Sequence, residues 1–271
     1  SFLEFLDICD ALAEPGADSP AFHVVVPSLP GYGFSQTRPG VSPRRIAAMF
    51  AQLMRDLGYE RFMIQGGNWG SAIGTEIARE WPERVIGLHL NSANGSPPSG
   101  APPLSARGEA MAETYAGLLS APHFNLFARA PLSIAHALAD SPAGTFAWIG
   151  QWLHEWADTG LPGNPGLDPD WIVGTAALYW LTGTAGSSAM LYAEAVRDPA
   201  PERRVGAPTA IAHFHKELVM IPQEWAAHHY NLVRWHDIGR GGHYPAIEVP
   251  GEFIEDVRSF AAMLFARGEA G

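Results

Sequence analysis

Two glycine-framed stretches hold the residues best suited to chemistry. In Gln65-Gly66-Gly67-Asn68-Trp69-Gly70-Ser71, three glycines crowd one central residue, which marks a backbone forced into a conformation that a Cβ would obstruct. The stretch lies between the apolar run Arg61-Phe62-Met63-Ile64 and a helical pattern from Ala72 to Trp81, so it reads as a sharp strand-to-helix turn. Such an elbow lifts one side chain above the carboxyl end of a sheet. It also leaves the N–H groups of the next helix's first turn free to stabilise an oxyanion. That is the seat of a nucleophile, yet the residue there is Asn68. A side-chain amide attacks poorly, because its nitrogen lone pair is delocalised and its oxygen carries no full charge. The second stretch, Gly239-Arg240-Gly241-Gly242-His243, offers an imidazole, the side chain best matched to proton transfer near neutral pH.

Composition limits what these residues could serve. The chain has 271 residues, 47% hydrophobic and 17% charged, enough for one large globular domain or a core with an inserted subdomain. A formal net charge of −11 argues against a nucleic-acid partner or an anionic membrane surface and favours a neutral small molecule. The single cysteine, Cys9, excludes an intramolecular disulfide framework and a Cys-based zinc cluster; it reads as a small hydrophobe on the buried face of the first helix. No apolar run reaches membrane-spanning length and Ser1-Phe2-Leu3-Glu4 has no basic n-region, so no signal peptide is read and the expected location is cytoplasmic.

Strands and helices alternate around the two stretches. A helical pattern opens the chain at Phe2 to Leu12, and Phe22-His23-Val24-Val25-Val26-Pro27 is a continuous β-branched run, predicted to be a doubly buried strand. Ser42-Pro43 predicts a capped helix start, with Ile46, Met49, Phe50, Leu53 and Leu57 as its apolar stripe. Strands follow at Arg61 to Gln65 and Arg84 to Asn91. The alternation breaks at the Pro- and Gly-rich segment Asn94 to Pro103, gives way to a helical, aromatic stretch to about Val196, and resumes with strands at Pro208 to Phe214 and Asn231 to Trp235 and a last helix from Phe253. A mostly parallel sheet interrupted once by helices is the α/β-hydrolase plan with a cap: core at 1–103, cap at 104–200, core again at 201–271. In that fold the chain order is nucleophile, acid, histidine, which places the third member at His243 after the last strand.

Four ordered motifs carry a family resemblance: Phe22 to Ser35 with its Leu29-Pro30-Gly31-Tyr32-Gly33-Phe34, the elbow Gln65 to Ser71, Tyr179-Trp180-Leu181-Thr182-Gly183-Thr184, and Arg240-Gly241-Gly242-His243-Tyr244. Together they resemble the microsomal and juvenile-hormone type epoxide hydrolases. The resemblance implies a cofactor-free, metal-free opening of a hydrophobic epoxide to a vicinal diol, in which an elbow Asp forms an ester that a His–acid pair hydrolyses with water. Carried over, the nucleophile position is Asn68, one oxyanion donor is the Trp69 N–H, the base is His243 and its acid partner is Glu217, with Asp237 a weaker competitor. Tyr192 matches the second of two tyrosines that hydrogen-bond the epoxide oxygen, and His123 falls where the first is expected. Trp148 and Tyr179 are expected to line the substrate pocket, and the chain could form a homodimer.

Three departures qualify the resemblance. His123 is not a phenol, so oxygen activation and substrate class are open. The family's His-Gly-X-Pro oxyanion segment and first strands are missing from the sequence, which predicts an unpaired sheet edge. Asn68 is either an engineered Asp→Asn trap or a natural loss of hydrolysis, and the intact Glu217 and His243 favour the trap. The rival readings are a haloalkane dehalogenase, with Trp69 among the halide donors, and a catalytically dead ligand-binding homologue.

Overall fold

In the computed structural model, which describes residues 1–14, 21–160 and 167–268, the alternation becomes a four-stranded parallel sheet in sequential order. Helix α1 (Leu6–Ala13) follows a single 3₁₀ turn, and α2 (Pro43–Asp56) starts where Ser42 Oγ accepts from the Arg45 N–H, with Pro43 at its first position. Strand β1 (Phe62–Gly66) leads through the elbow into α3 (Trp69–Glu80), and β2 (Val85–Leu90) follows. Between β2 and β3 the described residues form seven helices: α4 (Ala106–Leu119), α5 (Pro122–Arg129), α6 (Pro131–Asp140), α7 (Pro142–Trp156), α8 (Pro169–Leu181), α9 (Thr184–Ser188) and α10 (Met190–Arg197). The sheet resumes with β3 (Val205–Phe214), α11 (Gln223–His229), β4 (Tyr230–Ile238), the short α12 (Pro245–Glu248) and α13 (Pro250–Ala266). Each strand pair is parallel, so successive strands present their carboxyl ends on one edge.

Apolar side chains seal both faces, as expected where helices cover a parallel sheet. On one face Ile46, Ala47, Ile73 and Ile77 of α2 and α3 pack against Phe62, Leu88, Leu90 and Ile211. On the other, Ile8 and Leu12 of α1 meet Phe214, Phe253 and Val257, while Phe260 and Leu264 of α13 cover Ala210. Phe253 is buried to 1% exposure, and truncating such a side chain to Ala costs about 3–5 kcal/mol.

Two expectations need correction. Residues 22–27 form no strand and join no ladder: among the described residues β1 pairs only with β2, and the segment and β1 both line one cavity. A β-branched run favours extended backbone, but a strand also needs a neighbour at about 4.8 Å to receive its hydrogen bonds. Cys9 is only half-buried, since Ile8 and Leu12 take the inner face of α1.

The loop Leu29–Phe34 ties core to helical insert. Its Tyr32 hydroxyl donates to the Ser188 carbonyl at 2.9 Å, the Gly33 N–H donates to Thr184 Oγ1 at 3.2 Å, and Ser187 Oγ donates to the Gly31 carbonyl at 2.6 Å. These bonds set α9 above the carboxyl edge of the sheet.

Candidate active site

Asn68 is the single described non-glycine residue with positive φ, at φ 48° and ψ −121°. Its neighbours make room for that strain. A Cβ on Gly66 would lie 2.5 Å from the Gly70 carbonyl oxygen, and one on Gly67 would lie 2.6 Å from the Asn91 amide. Below the turn, the Asn68 N–H donates to Ser92 Oγ at 2.6 Å, and Ser71 Oγ donates to the Asn68 carbonyl at 2.7 Å. Ser92 and Asn91, which follow β2 directly, therefore hold the elbow from beneath.

The Asn68 side chain is held at both ends. Its Oδ1 accepts the Trp69 backbone N–H at 2.8 Å, and its Nδ2 stands 2.9 Å from His243 Nε2. On the far side of the imidazole, His243 Nδ1 lies 2.9 and 3.0 Å from the two Glu217 oxygens. One tautomer satisfies all of these contacts: Nδ1–H donates to Glu217, and the Nε2 lone pair accepts from the Asn68 amide. Glu217 Oε1 also accepts the Val219 N–H at 2.7 Å, which fixes the carboxylate. Asn68, Glu217 and His243 follow β1, β3 and β4, so three carboxyl strand ends bring together residues far apart in sequence.

Burial disfavours a charged His243, yet the nearby Glu217 charge and its hydrogen bond, with smaller contributions from Glu4 and Glu248, leave its pKa raised. Asp237, the competing acid, is turned elsewhere: it pairs with Arg107 and with His213 Nδ1 at 2.9 Å.

A cavity of about 860 Å³ opens above these groups, lined among others by Asn68, Trp69, His123, Trp148, Trp152, Trp156, Tyr179, Tyr192 and His243. Burial, slightly offset by a hydrogen bond from the Trp69 side chain, pushes the Tyr192 phenol up to about 12, so it stands protonated at neutral pH. The rings of Trp69 and Tyr192 meet edge to face at 4.9 Å. Tyr192 and Trp69 both line this cavity. His123 is buried, and that burial, weakly opposed by Glu155, lowers its pKa. It is thus a neutral ring, 4.1 Å from Trp152 between centroids, with Nδ1 unpartnered. Tyr179 lies edge-on to Tyr32, at 6.2 Å between ring centroids. Trp171 and Trp180 of the aromatic stretch lie outside the cavity, the Trp171 indole donating to the Leu3 carbonyl at 3.4 Å.

The family model of the alpha/beta hydrolase fold matches residues 2–138. The solved epoxide hydrolase of Aspergillus niger superposes with a TM-score of 0.85 at 30% identity, covering 97% of this chain and 69% of that one. This chain belongs to the epoxide hydrolase family. Among other members, the juvenile hormone epoxide hydrolase of the silkworm Bombyx mori superposes with a TM-score of 0.85 at 29% identity over 100% of this chain and 71% of that one. A putative epoxide hydrolase of Stigmatella aurantiaca is 35% identical over 278 residues, 98% of this chain and 63% of the relative. The chain spans 58 to 66% of the length of the first curated relatives it matches. No described helix of this family member is long and apolar enough to cross a membrane.

Sequence reasoning missed the supports of this site. Asn91 and Ser92 could have been found as polar residues ending an apolar strand at the sheet's carboxyl edge, where ligands bind in open α/β sheets. The edge-to-face contact of Trp69 with Tyr192 left no comparable signal, because it joins the core to the helical insert.

Proposed function

We propose that this chain carries the catalytic machinery of an epoxide hydrolase whose nucleophile position is filled by Asn68, so that as it stands it binds hydrophobic epoxides without opening them. The supporting observation is the contact of 2.9 Å between His243 Nε2 and the Asn68 side chain, backed by Glu217. Residues 104–200 act as the cap that closes over the substrate.

With Asp at position 68, the chemistry follows from the contacts already described. One carboxylate oxygen attacks an epoxide carbon; the C–O bond of the ring breaks, and Tyr192 gives its proton to the departing oxygen. The resulting ester keeps its carbonyl oxygen at the place of Asn68 Oδ1, on the Trp69 N–H. His243 Nε2 then takes a proton from water, whose oxygen attacks the ester carbon. Negative charge develops on the oxygen that the Trp69 N–H already holds, where a preorganised donor is worth most. Glu217 stabilises the imidazolium. Collapse of the intermediate breaks the ester C–O bond, the departing diol oxygen takes the carboxyl proton to leave Asp as the carboxylate, and the proton held by His243 returns to the Tyr192 oxygen, restoring both groups.

Asn68 blocks this sequence twice. Its amide is a weak nucleophile, and its Nδ2–H occupies the lone pair that His243 needs to activate water. A dehalogenase reading would use the Trp69 indole N–H for halide, at a ring that Tyr192 packs against edge to face. The deciding experiment is Asn68→Asp, assayed against a panel of aryl and alkyl epoxides. Diol formation should rise about 10⁴-fold or more over the unaltered chain. No diol from any epoxide would sink the proposal, and chloride release from haloalkanes would replace it with the rival.

A further inference from the structure

The loop that carries His243 is held by two buried carboxylates that the reaction does not use. Asp158, two residues past the end of α7, is 2% exposed, and Glu248 of α12 is 6% exposed. Four consecutive backbone N–H groups of the histidine loop find acceptors at this junction. Gly241 donates to Asp158 Oδ2 at 3.0 Å, Gly242 to Glu248 Oε2 at 3.1 Å, His243 to the Trp156 carbonyl at 3.1 Å and Tyr244 to Glu248 Oε1 at 2.8 Å. Glu248 Oε2 also accepts the N–H of Asp158 itself at 2.5 Å, which joins the two carboxylate residues into one clasp. Lys216 closes it from a third side, its Nζ donating to the Ala157 carbonyl at 2.7 Å and its backbone N–H to the Gly241 carbonyl at 3.0 Å. The approach is too close for a side chain at position 242: a Cβ there would lie 2.6 Å from the Trp156 carbonyl oxygen.

Burying a carboxylate is costly unless hydrogen bonds replace its water. Here the replacements come from the histidine loop and from the segment of the helical insert that rests on it. We propose that Asp158 and Glu248 are positioning residues, which lock the backbone of the His243 loop against the segment after α7 and so keep the imidazole on line for ester hydrolysis. The inference rests on the epoxide-hydrolase reading above. It makes His243 placement depend on the helical insert as well as on the sheet.

The two carboxylates differ in a way that can be tested. Asp158 uses one oxygen toward the loop, so Asp158→Asn keeps an acceptor. Glu248 uses both oxygens, and Glu248→Gln would turn an NH₂ toward N–H donors. Rapid quench and intact mass of Asn68→Asp protein separate ester formation from ester hydrolysis. Adding Asp158→Ala or Glu248→Gln should slow hydrolysis by roughly tenfold to a hundredfold and leave ester formation within about twofold, with Asp158→Asn recovering most of the loss. If Asp158→Ala fails to fold, the contrast between Glu248→Gln and Asp158→Asn still decides. Variants that melt lower but hydrolyse the ester at the parent rate would overturn the proposal. Should Asn68→Asp form no ester at all, the functional reading falls alone, and the clasp is tested in the unaltered chain by NMR. There the His243 Nδ1–H resonance, deshielded by Glu217, should shift or broaden with Glu248→Gln and hold with Asp158→Asn; an unmoved resonance in both refutes it.

Discussion

Two buried histidine–carboxylate pairs, His243 with Glu217 and His89 with Asp256, have the same ingredients and opposite access. His243 directs Nδ1 at Glu217 and presents Nε2 to the cavity beside Asn68. His89, next to last in β2 and wholly buried, directs Nε2 at Asp256 of α13 at 2.9 Å, and its Nδ1 is sealed without a partner. Asp256 is further shared by Arg234 at 2.6 Å and His236 at 2.5 Å, whereas among the described residues Glu217 adds the Val219 backbone N–H. A carboxylate behind an imidazole therefore does not by itself make a general base. The second nitrogen must face a space where water and an ester can meet.

Deleting each imidazole puts that contrast at risk. In Asn68→Asp protein, His243→Ala should let the ester form and persist, and steady-state diol production should drop about 10³-fold or more. His89→Ala should instead lower stability by about 3 kcal/mol, read by denaturant unfolding, while diol production at a temperature well below melting stays near the parent value. A persistent ester in His89→Ala protein would erase the distinction. A smaller effect sharpens the assignment from the other side of the cavity. Tyr192→Phe removes the proton donor and not the base, so it should slow ester formation by roughly 10²-fold and spare ester hydrolysis, resolved by single-turnover quench.

The smallest expected effect is in pH, and the two pairs carry opposite signs. Glu217 leaves the His243 pKa raised against its burial penalty. Its contribution to stability is thus complete below the unfolded value of about 6.5 and is lost as pH rises through the folded pKa. For Asp256 burial favours the neutral acid, but the hydrogen bond and charge of His89, with His236 and Arg234, overcome it and hold the carboxyl well below the usual range. That contribution is present above about pH 3.9 and is lost as pH falls through the folded pKa. Melting temperature against pH should therefore lose its neutral-to-alkaline slope in His243→Gln and its acid slope in Asp256→Asn. Diol production by Asn68→Asp protein should fall as pH drops through the His243 pKa, because the base must be unprotonated.

Legibility in the sequence followed the range of the interactions. The elbow could be read because its constraint is local: Gly66 and Gly67 stand beside the residue whose backbone they accommodate. His243 could be read from its place after the last strand, and Glu217 from its place after β3. The segment 22–27 misled, since its composition reports backbone preference while strand formation depends on a partner elsewhere in the chain. Trp171 and Trp180 share the composition of Trp148 and Trp152 but face other surroundings, a distinction set by how the helices of the insert pack. Asp158 and Glu248 were invisible for a related reason: a buried carboxylate that accepts backbone N–H groups far away in the chain has no motif of its own.

The edge-to-face contact between Trp156 and His243, with ring centroids 4.8 Å apart, has an optical consequence. An imidazolium accepts an electron from an excited indole far more readily than neutral imidazole does. Trp156 emission should therefore dim when His243 takes up a proton and brighten when it gives one back. The molecule carries its own indicator at the base, on the helical segment that also holds the loop in place.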